Sequence, residues 1–74
     1  MDIEFTNHAL SRIKRRKMTH EDVIQTIKYP EILHKQYGLF FYSRRYAYGI
    51  IEACCERAEN HIKVVTVYWG KPWK

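Results

Sequence analysis

The pair Tyr29-Pro30 divides the chain, because the hydrophobic period changes across it. Proline lacks a backbone N–H and disfavours the α conformation in the residue before it, so no helix continues through. Upstream, Ala9, Leu10 and Ile13, and then Val23, Ile24 and Ile27, recur at helical spacing. Downstream, residues 39–42, 48–55 and 62–69 are rich in aromatic and β-branched side chains and read as strands. Two helices followed by sequential strands predict an α+β fold. The expected layout is two N-terminal helices packed on one face of an antiparallel sheet of three to four strands.

Local signals sharpen the ends of these elements. Thr6 or Asn7 suits the N-cap of a helix running to about residue 17, with Phe5 and Leu10 placed as a hydrophobic staple. Thr19 caps the second helix, Asp22 stands at capping-box spacing, and Met18 and Val23 form a matching staple. Residues 1–5 read as a short extended lead-in. Gly38 falls where a turn is needed between residues 32–37 and 39–46, and Ala58-Glu59-Asn60 forms the turn before the last strand. The tail, Gly70-Lys71-Pro72-Trp73-Lys74, reads as irregular. At 74 residues the chain supports one domain, residues 1–74. So small a core also leads us to expect a homodimer or another stabilising partner.

A formal net charge of +5 and a pI near 9.4 favour an anionic partner: nucleic acid, an anionic membrane or an acidic protein. The N-terminus opens acidic without an apolar segment, and no apolar run approaches membrane-spanning length. The expectation is therefore a cytoplasmic protein with no membrane partner. Cys54 and Cys55 are adjacent, so on a strand they point to opposite faces and read as free thiols. The four histidines form no ligand spacing, which gives no metal site and no cofactor. His20 shares the apolar side of the second helix and reads as half-buried.

The first helix separates into two sides. Ala9, Leu10 and Ile13 face one way; His8, Arg12 and Arg15 face nearly the other, with Arg16 at the margin. His8 and Arg12 are neighbours at i, i+4. Arginine binds phosphate by forked hydrogen bonds and histidine moves protons near neutral pH, so the face suits a phosphate site. The competing reading is a solvated charged face. In residues 39–46, Phe40, Tyr42, Arg44 and Tyr46 share one strand face, and Leu39, Phe41, Ser43 and Arg45 the other. The first set is either a stacking platform for single-stranded nucleic acid, with Tyr42 and Tyr46 joining Arg15 and Arg16 as binding residues, or core that emerges at Arg44. On the last strand, Ile62, Val64, Thr66 and Tyr68 alternate with Lys63, Val65, Val67 and Trp69, one set facing the helices. Thr66 and Tyr68 supply hydroxyls able to bind or orient a phosphate.

The segment Phe5-Thr6-Asn7-His8-Ala9-Leu10-Ser11-Arg12 resembles the T-x-H-A-x-x-R opening of a small prokaryotic family, domain-of-unknown-function family 4258. Met18-Thr19-His20-Glu21-Asp22-Val23, Tyr29-Pro30-Glu31 and Thr66-Val67-Tyr68 resemble its second helix, the exit from that helix and its terminal strand. The family usually has glycine between its helices where Lys17 stands here, which implies a somewhat different turn. That family is similar in layout to RelE-like and BrnT-like toxins, which implies RNA cleavage without metal and pairing with an antitoxin. By motif match the resemblance implicates His8, Arg12, Thr66 and Tyr68; Arg44 and Arg45 join them on chemical grounds. Two functional readings follow. One is an RNA-interacting, metal-independent endoribonuclease, in which His8 is general acid or base while Arg12 and Arg44 or Arg45 stabilise the phosphate. The other is a non-catalytic module that binds nucleic acid or an acidic protein.

Overall fold

Thr6 organises the start of the chain. Its backbone N–H donates to the Val64 carbonyl at 3.1 Å, and its hydroxyl donates to the carbonyls of Val64 and Val65 at 3.0 and 3.1 Å. The same hydroxyl accepts from the Ala9 N–H at 3.1 Å, which caps helix α1, Asn7–Arg15. The computed structural model describes residues 2–71. Met1 of the lead-in and Pro72, Trp73 and Lys74 of the tail lie outside them; Gly70 and Lys71 belong to no regular element.

The residues before Thr6 form a strand, β1, Asp2–Phe5, rather than a lead-in. Ile3 and Phe5 turn partly inward and Asp2 and Glu4 outward, the alternation of a half-buried strand. Four residues carry only two such repeats, too few to read from sequence. After α1, helix α2 spans His20–Lys28, capped by the Thr19 hydroxyl, which accepts from the Asp22 N–H at 3.0 Å. It stops at Tyr29, as Pro30 requires.

Four further strands follow: β2, Ile32–Gln36; β3, Leu39–Tyr46; β4, Gly49–Ala58; and β5, His61–Trp69. Tyr37 and Gly38 link β2 to β3 with φ of +55° and +76°, the two positive values of a type I′ hairpin turn. Glu59 and Asn60 turn β4 into β5, while Ala58 ends β4. The five strands lie in the order β1-β5-β4-β3-β2, and β1 runs parallel to β5. The sheet is thus mixed, and its five strands exceed the three to four of the expected antiparallel meander.

A bulge between Cys54 and Cys55 decides which face each residue of β5 takes. Thr66 opposes Cys54 and Val64 opposes Cys55, so Val65 is the extra residue. Strict alternation fails there: Val64 and Val67 both reach the core, while Thr66 and Tyr68 turn to the other face. The core is Ala9 and Ile13 of α1, Val23 and Ile27 of α2, and Tyr42, Ile51, Ala53, Cys55, Ile62, Val64 and Val67 of the sheet, with Met18 between the helices. Each large aliphatic side chain buried here contributes about 1.5–3 kcal/mol. Among the described residues no helix is long and apolar enough to cross a membrane.

Candidate nucleic-acid interface

The core fixes what α1 presents to solvent. Ala9 is fully buried and Ile13 nearly so, which leaves His8 and Arg15 exposed and Arg12 half-exposed on the outer side. Arg12 Nε donates to His8 Nε2 at 3.4 Å. In that bond Nε2 is the acceptor, which requires its lone pair to be free. The helix holds no acidic residue, and no carboxylate pairs with its cations among the described residues. Arg12 and Arg15 thus form a strip of positive charge beside His8, while Lys14 turns about 160° from Arg12 around the same helix.

Arg16 ends this strip and is mostly structural. Its carbonyl accepts from Trp69 Nε1 at 3.1 Å, and its own Nε is buried without a partner. Lys17 follows with φ of +58°. The Met18 N–H donates to the Ile13 carbonyl at 3.0 Å and the Lys17 N–H to Lys14 at 3.3 Å, the two bonds of a Schellman ending. Lys17 therefore takes the left-handed position that glycine takes most easily.

The other candidates lie elsewhere. Tyr42 is 3% exposed, and the Tyr46 hydroxyl bonds to the Thr26 hydroxyl at 2.8 Å and the Asp22 carbonyl at 2.9 Å. The row Phe40, Tyr42, Arg44 and Tyr46 faces the helices and is no stacking platform, because α2 lies over it. Burial also raises the Tyr42 hydroxyl pKa against the pull of Arg57. Arg44 Nη1 donates to the Tyr29 carbonyl at 2.6 Å, where the cation complements the C-terminal end of α2. Its guanidinium also lies 5.7 Å from the Tyr46 ring centre. Arg45 takes the opposite face, and its N–H donates to Glu31 Oε1 at 2.7 Å.

The expected convergence of Arg44 or Arg45 on His8 does not occur. Helix α1 packs on β5 and β1, while β3 lies beyond β4 and beneath α2. Two strand spacings, roughly 10 Å, separate β5 from β3. Thr66 and Tyr68 project from the sheet face that carries no helix, whereas α1 packs on the other. Burial, and then the adjacent Glu52 carboxylate, push the Tyr68 hydroxyl up to about 12, so it is held protonated. The structure brings His8 and Arg12 together, with Arg15 on the same side of α1; Arg44, Arg45, Thr66 and Tyr68 lie elsewhere.

Sequence reasoning missed two clusters. The Tyr48 hydroxyl donates to Asp22 Oδ2, and that bond raises its pKa to about 12. Arg57 lies 4.8 Å and Lys35 Nζ 5.4 Å from the centre of the Phe40 ring. Alternation from Ile51 through Ala53 and Cys55 puts Arg57 on the helical face, a signal legible in the sequence once the inward face of β4 is known. Cys54 and Cys55 are free and buried, and burial pushes the Cys55 thiol up to about 12 and raises that of Cys54.

Comparison with curated proteins and with solved structures returned no match. A family described as Domain of unknown function (DUF4258) matches residues 5–69, from the last residue of β1 to the end of β5. The match takes in the capping Thr6, the His8–Arg12 pair on the outer side of α1 and both helices, and the chain belongs to the DUF4258 family.

Proposed function

We propose that this protein binds RNA along the outer face of α1 and cleaves it there without a metal. The observation that carries the reading is the His8–Arg12 pair, 3.4 Å apart on an exposed face of a helix that itself holds no carboxylate. A bound phosphate would take over the Arg12 donors, which frees the His8 Nε2 lone pair. His8 Nε2 then accepts the proton of the ribose 2′-hydroxyl, and the 2′-oxygen attacks the adjacent phosphorus. The bond to the 5′-oxygen breaks, that oxygen takes a proton from water, and a 2′,3′-cyclic phosphate remains. Arg12 stabilises the charge that develops on the non-bridging oxygens. Arg15, on the same side of the helix, holds a neighbouring phosphate.

The test is incubation with end-labelled single-stranded RNA in EDTA. Cleavage to a 2′,3′-cyclic end by the wild type, lost in His8→Ala, supports the reading. Intact RNA in both lanes overturns cleavage.

The second reading is a binding module that performs no chemistry. It is favoured by the placement of Arg44, Arg45, Thr66 and Tyr68 away from α1, which leaves two residues where four to six were expected. Retention of the RNA by the wild type, lost in Arg12→Ala with no cleavage by either, identifies that case.

A further inference from the structure

Two helices of nine residues each do not cover a five-stranded sheet. α1 lies on β5 and β1, and α2 lies on β4 and β3. Near the β4–β5 turn, beyond the C-terminal end of α2, the helical face of the sheet stays open as a groove of about 390 Å³. Its floor runs across all five strands and includes Ile3, Ile62, Tyr42 and Leu33. Leu33 keeps 47% of its surface in water. Among the described residues, two cations, Lys28 and Arg57, line the groove, and no acidic side chain does. Lys35, on the far side of the Phe40 contact, adds a third positive charge nearby.

We infer that this groove is the docking site for an amphipathic, acidic helix of a partner protein. The span from β1 to β2 is four strand spacings, about 19 Å, the length of about 13 helical residues. A helix of that size laid beside α2 would complete the layer that α1 and α2 leave unfinished. Its apolar stripe at i, i+3, i+4 and i+7 covers Ile3, Ile62 and Leu33. Carboxylates on its flanks reach Lys28 and Arg57, which are otherwise uncompensated in the groove. The charge pattern selects the partner's sign, and the aliphatic floor favours a protein helix over a nucleotide chain. The inference is independent of the RNA chemistry on α1, since the groove shares no residue with the His8–Arg12 face.

The experiment is a display selection of helical peptides randomised at surface positions, against the full chain, followed by fluorescence anisotropy of the enriched peptides. The expected result is enrichment of peptides with an apolar stripe flanked by Glu or Asp. Their affinity falls at least tenfold on Arg57→Glu and on Leu33→Gln, and is unchanged by Arg12→Ala. Lys28→Glu, at an exposed position, supplies a second charge reversal should Arg57→Glu disturb the packing on Phe40. The inference is overturned if nothing enriches above the mock selection, or if the enriched peptides ignore all three groove variants. Loss of labelled single-stranded RNA binding on Arg57→Glu, with peptide binding absent, would also overturn it and make the groove a nucleic-acid surface.

Discussion

At the scale of single residues, Thr6 and Lys17 show how the family's short motif divides between structure and chemistry. Thr6 could be read from sequence as a cap, and it is one. Its bonds to Val64 and Val65 join residues 58 and 59 positions away, and no local pattern announces them. Thr6→Val removes the cap and both long-range bonds while keeping the shape, and is expected to cost about 1–3 kcal/mol. A urea midpoint unchanged from the wild type would show that these bonds contribute nothing net. Lys17 carries the opposite lesson. The missing glycine is visible in sequence, yet the helix ending survives because the Schellman bonds hold a lysine at φ of +58°. A non-glycine residue there costs about 1 kcal/mol, partly offset by the greater chain entropy glycine loses on folding. Lys17→Gly should therefore stabilise the fold by about 0.5 kcal/mol, read as a raised urea midpoint at constant slope. A lowered midpoint would mean that the lysine side chain stabilises the turn.

At the scale of elements, the two helices were legible because caps, staples and period agree at each end. The sheet was only partly so. In β3 both alternating sets contain aromatics, so alternation shows that two faces exist but not which one α2 covers. In β5 the bulge opposite Cys54 and Cys55 shifts the alternation by one residue, and it arises from pairing with β4, not from β5 itself. Opposite the bulge, β4 makes stability depend on pH. Cys55 is fully buried, and its thiol rises from the usual 9.0 to about 12. Because the folded value lies above the unfolded one, the folded state holds the proton more tightly. That stability is complete below pH 9 and is lost as pH rises from 9 towards 12, by up to about 1.4 kcal/mol per pH unit. Tyr48 and Tyr68 act in the same direction above pH 10. Urea titrations at pH 8 and pH 10 should show a loss in the wild type that is clearly smaller in Cys55→Ala. Equal losses in the two proteins would remove Cys55 from the account.

At the scale of the whole molecule, charge separates by face. The outer side of α1 presents Arg12 and Arg15, with Lys14 on its flank, and the helix itself holds no acid. On the helix-free face of the sheet, Arg45 and Lys63 stand among Asp2, Glu4, Glu52 and Glu56. The net charge of +5 thus understates the positive field over α1 and overstates that over the open sheet face. Composition could show the excess, but only the pairing register shows how it is distributed. If RNA lies along α1, each phosphate contact releases counterions, and the logarithm of affinity falls with the logarithm of salt by about 0.7 per contact for a single strand. Arg12→Ala and Arg15→Ala should each weaken binding for every RNA sequence tried and flatten that salt slope by about 0.7. Lys63→Ala removes the same unit of charge from the opposite face, between Glu4 and Glu56, and should leave both affinity and slope nearly unchanged. Fluorescence anisotropy of a labelled 12-nucleotide RNA across a sodium chloride series measures all four proteins under one set of conditions. A slope lowered by Lys63→Ala and untouched by Arg12→Ala would move the RNA to the sheet face and separate the His8–Arg12 pair from the nucleic acid altogether.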